Sequence, residues 1–109
     1  MRLALYGILR PGGSHHHEVR SIPGDWETGT VRGWLHGVTW GPADGFEGIT
    51  LAAEAPPVPV DILHADRLAD HLARLDRFEG PGYRRITTTA HLTDGTEVAV
   101  EIYEVDPEA

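Results

Sequence analysis

Glu79 is the residue whose position most invites chemistry. Leu68, Leu72 and Leu75 recur at spacings of four and three, which marks the apolar face of a helix. Glu79 stands seven positions after Leu72 and four after Leu75, so it extends the same stripe. A carboxylate placed there is desolvated, and in the last turn it also meets the unfavourable end of the helix dipole. Both effects raise its pKa. Those are the conditions for a general acid/base working near neutral pH. The alternative is that the helix ends one residue early and Glu79 turns to solvent.

A second candidate precedes it. Tyr6-Gly7-Ile8-Leu9-Arg10-Pro11-Gly12-Gly13 ends an apolar segment in a turn with three glycines, where backbone amides can converge on a carboxylate or an oxyanion. The alternative is a plain tight turn, since the spacing of a dinucleotide-binding fingerprint is absent. His15-His16-His17-Glu18 suggests a metal, but adjacent side chains point in different directions and there is no His-Glu-x-x-His pattern. We therefore expect no metal and a solvated loop. Ser14 lacks the Gly-x-Ser-x-Gly elbow of a serine nucleophile. Trp26, Trp34 and Trp40 could line a pocket, although such aromatics more often fill a core.

The elements that must position these residues are short and punctuated by 13 Gly and 8 Pro. Residues 3–9 read as a buried strand and residues 10–28 as a long excursion. Residues 31–40 read as a curved strand, with glycines at 33 and 37 that something approaches closely. Residues 46–53 and 58–63 are further strands. Asp66 can cap the one clear helix, which Gly80-Pro81-Gly82 stops. Residues 83–92 and 97–105 flank Thr93-Asp94-Gly95-Thr96, a hairpin signal. The class is α+β: a small mixed β-barrel or strongly curved sheet with one main helix, all in one domain spanning residues 1–109.

Composition removes other chemistries. The 109 residues carry a formal net charge of −8, which argues against nucleic acid or an anionic membrane as partner and leaves a small molecule. Without Cys there is no disulfide and no thiolate zinc site. Without Lys there is no Walker-type phosphate loop and no Schiff base. The apolar N-terminus breaks at Arg10-Pro11, too early for a signal peptide, and no stretch approaches a membrane span. A cytoplasmic protein is expected.

Several separated motifs together resemble one family. Tyr6-Gly7-Ile8-Leu9, Val31-Arg32-Gly33-Trp34-Leu35-His36-Gly37, Leu75-Asp76-Arg77-Phe78-Glu79-Gly80 with Tyr83-Arg84-Arg85, and the Gly-x-x-Val-x-Val-x-x-Tyr segment from Gly95 to Tyr103 are similar, in order and separation, to the gamma-glutamylcyclotransferase-like (AIG2-like) family. The resemblance implies a small mixed barrel with flanking helices, in which the Tyr-Gly-x-Leu turn faces the glutamate of the Asp-x-x-Glu-Gly motif. It implies a cofactor-free enzyme that cyclises a γ-glutamyl amine to 5-oxoproline, with Glu79 moving the proton. Amides of residues 7–9 would hold the substrate carboxylate or the oxyanion. One departure is Ile8, where the family usually has Ser or Thr. The alternative is a binding module that keeps the pocket without turnover. Both segments close with glycines that permit close ligand approach. The expected pocket is therefore rimmed by Tyr6, Gly7, Ile8, Leu9, Glu79 and Tyr83, with Arg10 or Arg84 near enough to steer an anionic group.

Overall fold

Period-two alternation along the strands sorts the apolar residues into two layers. Ala4, Val31, Val58, Val60, Ile62, Val100 and Ile102 fill the interior of a barrel, while Leu3, Leu5, Leu63 and Tyr103 project outward to meet Leu68, Leu72 and Leu75 of the helical segment. The structure is a computed structural model that describes residues 1–7, 9–37 and 47–106.

Six strands are present among those residues: β1 (Arg2–Leu5), β2 (Asp25–Gly37), β3 (Glu47–Leu51), β4 (Pro57–His64), β5 (Tyr83–Leu92) and β6 (Glu97–Val105). The helix α1 (Leu72–Glu79) follows a 3₁₀ turn at Leu68–His71. The sheet runs β3-β2-β4-β1-β6-β5, and a further pairing of β2 with β5 closes five strands into a mixed barrel. Only β1 and β6 pair in parallel, with Leu3 opposite Glu101 and Ala4 opposite Ile102. β3 lies outside the ring, held on the second half of β2.

Closure depends on Gly29. A Cβ there would sit 2.4 Å from the carbonyl oxygen of His91, so any side chain would force β2 and β5 apart where the ring joins. The α+β class with a small mixed barrel and one main helix is what the structure has. The β5–β6 hairpin matches its expected boundaries, with Gly95 at φ +90° in the turn.

Other expectations need correction. β1 ends at Leu5 rather than at residue 9, and β2 begins at Asp25 rather than at residue 31. The missed half of β2 is polar and contains Gly29, so it lacks an apolar alternation to read. The expected long excursion is correspondingly shorter and contains a 3₁₀ turn at His16–Glu18. Asp66 does not cap the helix: the segment opens as a 3₁₀ turn after Arg67, and neither it nor α1 has a side-chain cap. Eight residues are too few for a helix to persist alone. Burial of Leu68, Leu72 and Leu75, each worth about 1.5–3 kcal/mol, holds the segment instead. Among the described residues, no helix is long and apolar enough to cross a membrane.

Candidate active site

Glu79 is the last residue of α1, and the helix does not end before it. Gly80 at φ +81° turns the chain away at once, a conformation a side chain would strain. Its amide donates to the carbonyl of Asp76 at 3.1 Å, which completes the last turn. The apolar-stripe placement puts Glu79 in a partly buried position, and burial pushes its carboxyl from 4.5 up to about 7.

Three tyrosines surround this carboxyl closely enough for its charge to act on their hydroxyls: Tyr6, Tyr83 and Tyr103. Each comes from a different element. Tyr6 follows β1, Tyr83 opens β5 and Tyr103 lies near the end of β6. Burial, with the Glu79 charge added to it, pushes the Tyr83 hydroxyl up to about 12. Burial likewise raises Tyr6 and Tyr103 above the ordinary phenol range. All three therefore remain neutral hydrogen-bonding groups at physiological pH.

The Tyr6 hydroxyl donates to the carbonyl oxygen of Tyr103 at 2.7 Å and accepts from the Ile49 amide at 3.1 Å. It thereby ties the exit of β1 to β3 and β6. The Tyr103 hydroxyl donates to Asp76 Oδ1 at 2.7 Å, and Arg85 Nε donates to the same oxygen at 2.9 Å. Burial alone would raise the Asp76 carboxyl. The bonds from Arg85 and Tyr103 outweigh it and hold the carboxyl below its ordinary value.

Gly7 directly follows Tyr6, and its carbonyl accepts from the Arg10 amide at 3.2 Å, which makes the turn. Leu9 is buried in the layer beneath the helix, so its side chain is structural and its contribution to a ligand would be its backbone. Ile8 lies outside the described residues, as does Trp40. Arg10 is ion-paired to Asp61 at 2.8 Å and lines a groove of about 430 Å³ whose lining includes neither Tyr6 nor Glu79. Arg84 donates from Nε and Nη2 to Glu104 Oε1 at 2.9 and 2.7 Å. Each cation thus already has a carboxylate partner.

Sequence reasoning missed three contributors. Asp76 and Tyr103 lie inside quoted motifs, but the pairing of a strand tyrosine with a helix aspartate has no sequence periodicity. The sequence places His16 in a solvated loop. Its Nδ1 instead meets the Leu9 carbonyl oxygen at 2.9 Å and its ring packs on Trp26, with centroids 5.5 Å apart. Trp26 and Trp34 are exposed on β2 and belong to neither apolar layer, because the strand turns those positions outward. Among the described residues, no group of three or more His, Cys, Asp or Glu is placed to hold a metal ion.

A five-stranded mixed barrel with one helix laid on it, carrying a part-buried glutamate at the helix end whose charge reaches the Tyr6 hydroxyl, defines a recognisable class of small α+β protein. The sequence matches the family described as "Gamma-glutamyl cyclotransferase, AIG2-like" over residues 3–109, and the chain belongs to that family. Among solved structures it is similar to YkqA from Bacillus subtilis, with a TM-score of 0.73 and 24% identity over 96% of this chain and 35% of that one. An uncharacterized protein from Pyrococcus horikoshii gives a TM-score of 0.63 at 18% identity, covering 96% of this chain and 77% of the other. A protein from Arabidopsis thaliana, solved in solution, gives 0.65 at 20% identity, covering 95% and 61%. At these identities the likeness is one of fold. This chain spans about a third of YkqA, 35%. No curated protein matches it.

Proposed function

We propose that the protein is a cofactor-free cyclotransferase that converts a γ-glutamyl amine to 5-oxoproline and the free amine, acting in the cytoplasm. The observation that carries this reading is Glu79: a carboxyl at the end of α1, raised to about 7 by burial and ringed by neutral tyrosines. At that value both protonation states are well populated near neutral pH, as a group that must take a proton and return it requires.

The reaction needs no other reagent. The substrate's α-amine attacks its own γ-carbonyl carbon, a C–N bond forms in the five-membered ring, and the original γ C–N bond breaks. Glu79 accepts the proton from the attacking nitrogen and delivers it to the leaving one. Because nucleophile and electrophile belong to one molecule, the site's remaining task is to fold the substrate into a near-attack conformation. Backbone amides of residues 7–9 would bind the substrate carboxylate or the developing oxyanion. Tyr83 would flank the bound head group. Arg10 and Arg84 would contribute to anion steering only by leaving Asp61 and Glu104.

The test is release of 5-oxoproline from a panel of γ-glutamyl amines and peptides by the wild-type chain and by Glu79→Gln. Turnover should fall by about 10²- to 10⁴-fold in the variant, with substrate affinity retained. The wild-type rate should rise with pH through a limb near 7, as the carboxyl becomes a base. Normal turnover by Glu79→Gln removes Glu79 from the mechanism. Binding without turnover by both proteins replaces the enzyme with a binding module.

A further inference from the structure

We propose that Tyr103 is a positioning residue: one strand residue that holds the Tyr-Gly turn by its carbonyl and the Glu79-bearing end of α1 by its hydroxyl, so that the two halves of the site keep a fixed separation. This rests on the cyclotransferase reading for its kinetic consequence, but its geometry stands apart from it.

The two motifs come from opposite ends of the chain, and neither is rigid by itself. β1 is four residues long and the chain leaves it at Tyr6. α1 has eight residues and no side-chain cap, and its last turn is the part of a helix most prone to fray. Tyr103 lies on a strand paired to β5 along its length and to β1 at two positions, and is itself only 4% exposed. Its carbonyl accepts from the Tyr6 hydroxyl at 2.7 Å, and its own hydroxyl reaches Asp76 Oδ1 at 2.7 Å. Asp76 stands three residues before Glu79, and side chains at that spacing neighbour one another on a helix. Anchoring Asp76 to the barrel therefore pins the turn that ends in Glu79. The groups facing Glu79 are Tyr6 from the exit of β1, Tyr83 from β5 and Tyr103 from β6. On its own helix Asp76 is nearby, with Arg85 across it.

A residue that only fills space would be replaced by Phe without consequence for Glu79. Tyr103→Phe keeps the ring and the carbonyl and removes the one bond to Asp76. If that bond fixes the helix end, Glu79 gains access to water and its carboxyl should titrate lower, moving from about 7 towards its ordinary 4.5.

The experiment is a carbon-13 NMR titration of the Glu79 carboxyl in wild type, Tyr103→Phe, Asp76→Ala and the double variant. Both single variants should lower the midpoint, and the double should go no lower than Asp76→Ala, because Asp76→Ala already removes the Tyr103 bond along with those from Arg85. With an active γ-glutamyl substrate, kcat should fall about 10- to 100-fold in Tyr103→Phe while KM is unchanged. An unmoved Glu79 titration in folded Tyr103→Phe overturns the proposal. If that variant does not fold, exchange at the Gly80 amide, which closes the last turn of α1, decides between Asp76→Ala, which loses the Tyr103 and Arg85 bonds, and Arg85→Met, which keeps the Tyr103 bond: faster exchange in Asp76→Ala than in Arg85→Met supports the proposal, and equal exchange overturns it. Should every γ-glutamyl amine prove inert, the functional reading fails while the titration still decides the role of Tyr103.

Discussion

The His16 imidazole donates from Nδ1 to the carbonyl oxygen of Leu9 at 2.9 Å. A carbonyl has no proton to give, so Nδ1 must carry the hydrogen, and the ring's tautomer is fixed by the contact. The bond fastens the 3₁₀ turn at His16–Glu18 to the turn that follows β1, and Arg74 adds a second tie from α1 by donating to Glu18 Oε2 and to its carbonyl at 2.8 and 2.9 Å. His16→Ala should loosen the turn, raising hydrogen exchange of the Arg10 and Gly13 amides, which donate to the carbonyls of Gly7 and Arg10, about five-fold for a bond worth about 1 kcal/mol. His16→Asn, which places an amide donor near the same point, should restore most of the protection. Equal exchange in wild type and His16→Ala would show that the turn holds without this bond.

Glu104 is the one buried charged side chain among the described residues, and both of its carboxylate oxygens are engaged. Arg84 takes Oε1 twice, and Oε2 accepts from the Leu51 amide at 2.9 Å. The last bond reaches from β6 across to β3, the strand outside the ring. Removing the carboxylate leaves a part-buried amide and a cation without partners, so Glu104→Ala should cost about 3 kcal/mol in a urea titration. Exchange at the Leu51 amide should rise with it. A loss below about 1 kcal/mol would mean that solvent replaces the carboxylate freely.

What the sequence disclosed follows from which signals repeat locally. The leucine spacing of the helical segment and the Asp-Gly hairpin are local: the hairpin and the end of α1 are legible to within a residue, while the first turn of the segment, with Leu68 in it, is 3₁₀ rather than α-helical. The same periodicity placed Glu79 on the apolar stripe, and from that placement came the burial that raises its carboxyl. Bonds between distant elements left no such trace. Nothing in the spacing of Tyr6, Asp76 and Tyr103 says that one hydroxyl will meet one carbonyl, because the meeting depends on how β1, β6 and α1 pack. The polar first half of β2 escaped for a related reason: its place in the sheet is set by pairing with β4 along eight positions rather than by its own side chains. Asp66 looked like a cap by residue type, yet the segment starts as a 3₁₀ turn whose geometry does not use one.

The raised carboxyl of Glu79 has a consequence for stability that can be measured without any substrate. In the unfolded chain Glu79 ionises at its ordinary 4.5, and in the folded chain only near 7. Below about pH 4.5 both forms hold the proton and the residue makes no difference. Between the two values the unfolded chain has already released a proton that the folded chain keeps, so stability falls as pH rises. Above 7 both are ionised and the loss is complete, amounting to about 3 kcal/mol for a gap of this size. Glu79→Gln has no proton to lose and escapes that cost. Its stability relative to wild type should therefore increase by about 2–3 kcal/mol between about pH 5 and about pH 8, read from urea midpoints at each pH with unchanged m-values. Other titrating groups cancel in the comparison, because they are common to both proteins. A constant difference across that range would show that Glu79 ionises as freely in the folded protein as in the unfolded chain, which would also remove the basis for its work as an acid/base at neutral pH.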